Sequence, residues 1–187
     1  MALLHKADIR PTKLELLSGW LPAQSWYSGP SDPDVTRVAA GRLDDPAGAV
    51  GLEIMLVQVG DGPVLHTPLT YRGAPLDGAD EFLIGTTEHS VLGTRWVYDA
   101  AGDPVFAAVL ADVIRTGGTQ AAEEVHGDGE VVIRQPSLFL RGSGSPEASG
   151  APEILRRPGA PATPGEATLT GRWSGVDTPV VLARLTA

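Results

Sequence analysis

The stretch Trp96 to Ile114, WVYDAAGDPVFAAVLADVI, restricts what this chain can become more than any other. It opens like a strand, turns through Ala101-Gly102-Asp103, and continues as a helix. Asp103 is suited to the N-cap, where its carboxylate accepts from an orphan amide and faces the positive end of the helix dipole. Pro104 follows at the first helical position, where its missing N–H costs nothing. Val105, Phe106, Val109, Leu110, Val113 and Ile114 then make two adjacent apolar rows at helical spacing, and Gly117-Gly118 supplies the stop. Capping by Asp103 leaves Asp99 without an assigned purpose; we expect it to hold the turn. A helix with one broad apolar face needs a sheet to cover it.

The rest of the chain supplies one. TKLELLSGWL, residues 12–21, spaces Leu14, Leu17 and Leu21 on one face, and Thr12 with Glu15 forms a capping-box pattern, so a short helix is predicted there. Strands are predicted at 35–43, 50–59 and 64–72, with Gly60-Asp61-Gly62-Pro63 as a hairpin turn and Pro68 marking an edge or bulge. Glu81 to Gly85 adds a short strand. VVIRQPSLFLR, residues 131–141, reads as one or two strands broken at Pro136. Residues 142–165 are rich in Gly, Ser, Pro and Ala and read as a mobile loop, and 166–187 as a terminal hairpin. The sum is an α+β fold in a single domain over 1–187: a curved antiparallel sheet of about six to eight strands, with one long and one short helix packed on it.

Composition bears mainly on what is excluded. With no cysteine, disulfides, thiolate nucleophiles and Cys-ligated metals are ruled out. A net charge of −9 argues against a nucleic-acid partner, since phosphate binding needs a basic field. No apolar run approaches the roughly 20 residues of a membrane span, and the N-terminus shows no signal-peptide pattern, so a cytoplasmic location with no membrane association is expected. The absence of Asn, with only Lys6 and Lys13 beside twelve arginines, reads as codon bias in a GC-rich bacterial genome.

Several motifs invite chemistry. His126-Gly127-Asp128 matches the catalytic loop of small-molecule kinases, but the position five residues later, where an amide would help hold magnesium, is Ile133. The surrounding EEVHGDGEVVIR reads instead as a hairpin with an Asp-Gly turn. Serines occur without a G-x-S-x-G elbow. His66, His89 and Asp99 could form an acid–base or metal group if the strands bring them together, although no metal-ligand spacing demands it. Trp20 and Trp26 could stack on a sugar ring if exposed, although tryptophans in a chain so poor in aromatic residues serve more often as core anchors. No catalytic residue, metal ligand or cofactor is assigned, and these five residues are the candidate ligand-binding positions.

Four segments in order resemble the N-terminal cap domain of maltokinases: WLPAQSWYSG from Trp20, HTPLTYR from His66, FLIG from Phe82 and WVYDAAGDPVF from Trp96. The resemblance spans about residues 10–120. It departs at Ser25, where the family carries Arg, and at Pro30, where it carries Lys. It implies a small α+β cap with a curved antiparallel sheet, here standing alone without kinase lobes, and it carries over no catalytic residue. The expected function is a non-catalytic interaction or regulatory module linked to α-glucan, trehalose or sugar-phosphate metabolism, of an actinobacterial kind, with a protein partner or a second copy of itself. The alternative is a sugar or sugar-phosphate binding domain, or a carbohydrate-active enzyme with an unrecognised site.

Overall fold

A computed structural model describes residues 2–5, 7–127 and 130–186. Its centre is a strongly curved sheet built from β2 (Ile9–Arg10), β3 (Val35–Leu43), β4 (Gly51–Val59), β5 (Leu65–His66), β6 (Leu69–Arg72), β7 (Leu83–His89) and β8 (Gly93–Asp99). The order is β2-β7-β8-β6-β4-β3, every pairing is antiparallel, and β5 also pairs with β4. Register shifts at Arg37/Ala39 in β3 and at Leu83/Gly85 in β7 insert bulges, which raise local twist and bend the sheet. The single strand expected over 64–72, with an edge or bulge at Pro68, is instead divided there into β5 and β6.

Each face of this sheet has its own core. On one side Ala40, Met55, Val57, Leu65, Leu69 and Val97 meet Leu17 and Leu21 from the first helical segment. That helix, α1 (Lys13–Trp20), carries the predicted capping box, with Glu15 N–H donating to Thr12 Oγ1 and Thr12 N–H to Glu15 Oε2. On the other side Ala39, Leu43, Leu52, Ile54 and Leu56 meet α2 (Pro104–Thr116) through Phe106, Leu110 and Ile114. Asp103 caps α2 by accepting from Val105 N–H, and Gly117 ends it at φ 69°. The caps therefore lie where expected, but α2 has only 13 residues and α1 8, so both helices are short and neither is the long one anticipated. The molecule is mostly antiparallel β.

The second core extends far beyond the first 120 residues. A four-stranded sheet of β11 (Leu138–Gly142), β13 (Thr168–Trp173), β14 (Val176–Leu185) and β12 (Pro152–Ile154) lies against α2 and supplies Leu138, Leu140, Leu169, Val180, Leu182 and Ala183 to the same cluster. The approach is so close at Gly142 that a Cβ there would stand 1.9 Å from the Val113 carbonyl oxygen. The terminal hairpin forms as expected, with a tighter turn: Trp173 pairs with Val176 around Ser174-Gly175. The segment read as a mobile loop, 142–165, includes β12, which pairs with β14, and Leu155 N–H donates to Leu182 O. Its glycines and prolines hid a strand of only three residues.

A third sheet, order β1-β9-β10, joins β1 (Ala2–His5), β9 (Glu123–Gly127) and β10 (Glu130–Arg134). β9 and β10 form the antiparallel hairpin read from EEVHGDGEVVIR, and β1 adds to β9 in parallel, a pairing with no local signal in the sequence. Asp128 of the His-Gly-Asp motif lies outside the described residues.

Candidate functional site

Among the described residues, three clusters of ionisable groups in the interior are built by elements far apart in sequence; a further buried carboxylate, Glu123, pairs with Arg134 within the β9–β10 hairpin. The first surrounds Glu53, on the α1 side of β4. Its carboxylate is buried at 2% exposure and accepts from Lys13 Nζ at 2.7 Å to each oxygen and from Tyr71 Oη at 2.5 Å. Arg42, opposite it on β3, lies 3.7 Å away. Burial alone would raise the Glu53 pKa; the Lys13 and Arg42 charges and the hydrogen bonds from Lys13 and Tyr71 outweigh it and hold the carboxyl at about 2. The Tyr71 ring is flanked by Lys13 Nζ at 5.8 Å and the Arg42 guanidinium at 5.5 Å.

The second cluster is centred on Arg156. Its Nη2 pairs with Asp99 Oδ2, its guanidinium lies 4.9 Å from the Trp26 ring centroid, and its backbone carbonyl accepts from His66 N–H at 2.9 Å. Asp99 also accepts from Ala101 N–H through Oδ1, so it holds the turn as expected and anchors Arg156 as well. Trp20 packs edge-on against Trp26 with ring centroids 5.8 Å apart. His66 is fully buried. Its Nδ1 faces the carbonyls of Leu182 at 3.1 Å and Leu155 at 3.3 Å, so Nδ1 carries the proton and donates to both. Burial, reinforced by the Arg156 charge, lowers the His66 pKa to about 3. The ring is therefore a neutral clamp tying β5 to the C-terminal sheet.

Four of the five predicted positions, His66, Asp99, Trp20 and Trp26, thus gather around a residue the sequence did not nominate. Arg156 lay in a stretch without periodicity; an arginine in such a stretch carries no signal of a buried partner. His89 is elsewhere: it pairs with Gly93 at the tip of the β7–β8 hairpin, six residues and about 20 Å along β8 from Asp99. Its Nδ1 accepts from Val91 and Leu92 N–H. Removing the Arg156 side chain by Arg156→Ala leaves the Asp99 carboxylate buried with one backbone donor. We expect a loss of about 2–3 kcal/mol in urea unfolding, together with a changed tryptophan emission as Trp26 loses its cation.

The third cluster fixes the helix start. Arg72 grips Asp103 in a two-pronged pair, Nε to Oδ2 and Nη2 to Oδ1, both 2.7 Å. Burial pushes the Asp103 pKa up, but the hydrogen bonds from Arg72 and Val105 pull it below the ordinary carboxylate value. Tyr98, buried just before Asp99, accepts from Leu76 N–H at 2.8 Å and ties down the loop ahead of β7.

Two clefts open beside these clusters. One, of about 140 Å³, is lined by Ala100, Ala101, Phe106, Ile154 and Arg156, whose Nη1 has no partner. The other, of about 150 Å³, lies between Tyr27, Pro30, Leu65 and Arg157, whose Nη2 donates to Ser28 Oγ and Trp26 O. Among the described residues no group of three His, Asp or Glu side chains could hold a metal ion, and no helix is long and apolar enough to cross a membrane.

The bent antiparallel sheet is entered through a Trp-Leu-Pro segment and left through a Tyr-Asp…Asp-Pro turn. Residues 20–103 match the family model of the maltokinase N-terminal cap domain. The matched region begins at Trp20 and ends at Asp103, the N-cap of α2, so α2 and the C-terminal sheet lie outside it. No curated protein matches the chain.

Proposed function

We propose that the chain is a non-catalytic, cap-like interaction module that acts in the cytoplasm alongside enzymes of α-glucan, trehalose or sugar-phosphate metabolism. The observation that carries this reading is how the charged groups of the interior are used. Glu53 is satisfied by Lys13, Arg42 and Tyr71, Asp99 by Arg156, Asp103 by Arg72 and Glu123 by Arg134. A general acid, base or nucleophile needs an open side toward substrate, and these carboxylates are closed in by their own cations. The match to a maltokinase cap supports the metabolic setting, because it is a match to the part of such enzymes that precedes the phosphotransfer machinery.

A small-molecule reading has one observation in its favour, the unpartnered Arg156 Nη1 at the first cleft. Size weighs against it. Sites that enclose ligands of drug or disaccharide size run to about 300–1,000 Å³, at least twice either cleft. Thermal-shift titration with maltose, trehalose, glucosamine and ATP–magnesium separates the two readings. The module reading expects flat melting temperatures throughout. A saturable rise of several degrees with any of them, lost in Arg156→Ala, would replace it with the ligand-binding reading.

A further inference from the structure

The third sheet ends in a strand whose outer edge is open. β10, Glu130-Val131-Val132-Ile133-Arg134, pairs on one side with β9 and on the other with no strand among the described residues. Its three central side chains are exposed at 56, 56 and 66%, the largest run of accessible apolar residues among those described. The outer edge of β3 is treated differently: Ala121 N–H donates to Arg42 O, and Ser137 both donates to Ala40 O and accepts from Ala40 N–H. Natural sheets blunt free edges with charged side chains, above all lysine, with proline or with a bulge. In β10 charge stands only at the two ends, Glu130 and Arg134, and the three residues between them carry no charge, proline or bulge.

From this edge we infer that β10 pairs antiparallel with β10 of a second copy of this chain, centred on Val132, to give a continuous six-stranded sheet across a two-fold axis. The inference rests on the interaction-module reading and names the partner. In an antiparallel ladder hydrogen-bonded and non-hydrogen-bonded pairs alternate, so a symmetric self-pairing must be centred on a residue. A register setting two neighbouring residues against each other would make one symmetric pair both kinds at once. Three centres are then available. Centring on Val131 sets Glu130 against Val132, and centring on Ile133 sets Val132 against Arg134; each opposes a charge to an apolar chain. Centring on Val132 sets Glu130 opposite Arg134 of the second copy at both ends and Val131 opposite its Ile133. One face of the joint then carries the apolar quartet of Val131 and Ile133 from both copies, and the other carries the Val132 pair at the axis. Arg134 is half exposed while its Nε and Nη2 hold Glu123, and its five donors leave capacity for a second carboxylate. A five-residue joint is smaller than the roughly 1,200–2,000 Å² of stable complexes, so the dimer forms in the micromolar range or above.

The chain has no cysteine, which makes single-cysteine variants clean reporters of register. In the proposed pairing the two copies of residue 132 face each other with Cα atoms about 4.5–5.5 Å apart, within disulfide reach. The two copies of residue 131, and likewise of 133, are displaced by two positions to about 8 Å, beyond it. Under mild oxidation Val132→Cys is expected to cross-link at least about 10-fold faster than Val131→Cys or Ile133→Cys. In sedimentation the wild-type mass should rise with concentration from 19.5 kDa toward twice that value. Val132→Lys, which opposes two like charges at the axis, should remain monomeric with an unchanged circular dichroism spectrum. Equal cross-linking of the three cysteine variants, or association undiminished in Val132→Lys, overturns the pairing. So does a wild type that stays monomeric while Val132→Cys fails to cross-link. The module reading is judged separately, by the sugar and nucleotide titrations.

Discussion

Replacing Glu53 by alanine is expected to cost about 3–5 kcal/mol at neutral pH, measured as the shift in urea unfolding free energy. Among the described residues the carboxylate accepts from Lys13 and Tyr71 and pairs with Arg42, all brought to it by different elements. Its removal leaves the Lys13 ammonium, itself only 26% exposed, and an Arg42 guanidinium whose Nε already lacks a partner. Lys13→Met should be milder, because Glu53 would keep Arg42 and the Tyr71 hydroxyl. The order matters more than either value: if Lys13→Met proves as costly as Glu53→Ala, the carboxylate is not the hub. The linkage has a definite sign. A carboxyl held at about 2, against an ordinary 4.5, contributes on the order of 3 kcal/mol above pH 4.5, and this is lost as the pH falls toward 2.

His66 produces a second acid transition in a higher window. Its ordinary pKa is 6.5 and its folded value about 3, so between these values the unfolded chain takes up a proton that the folded chain refuses. Stability is complete above pH 6.5 and falls as the pH drops toward 3, by on the order of 5 kcal/mol over the full window and about 3 kcal/mol by pH 4.5. Glu53 still makes almost all of its contribution at that point and loses it only at lower pH, so the His66 effect is met first on acidification. His66→Gln keeps an amide able to reach the Leu155 and Leu182 carbonyls but does not titrate. Between pH 7 and 4.5 the wild type should lose about 3 kcal/mol more than this variant. Parallel losses in the two proteins would mean that the imidazole is not held neutral. Because His66 joins β5 to the segment around Leu155 and to β14, the acid-induced opening should begin where the C-terminal sheet meets the main one.

Both effects arise from residues that looked chemical or plain for reasons the sequence could not resolve. His66 was visible as a titratable group inside a strand, but its Nδ1 partners are carbonyls 89 and 116 residues away. Glu53 interrupts the apolar run of β4 and gave no sign that a lysine from α1 would meet it. Asp99 was legible in half its role: the turn is local, and Ala101 lies two residues on. Its other half, the anchoring of Arg156, depends on a segment whose glycines and prolines carried no period. His89 was grouped with His66 and Asp99 by residue type, and the hairpin sends it to the opposite end of β8.

By itself, the sequence determined the local structure: the Thr12–Glu15 capping box, the Asp103-Pro104 start and Gly117 stop of α2, and the hairpins around β9–β10 and β13–β14. Those follow from caps, turns and periodicity, which act over a few residues. Only the tertiary structure decided that α2 is covered by a second sheet, that β1 joins β9 in parallel, and that Trp96 to Ile114 sits between two cores. Such pairings are settled by burial and charge compensation between segments a hundred residues apart, and a one-dimensional pattern holds no term for them. Tyr98 and Asp99 show the division within two residues: the strand they close was readable, while their partners at Leu76 and Arg156 were not.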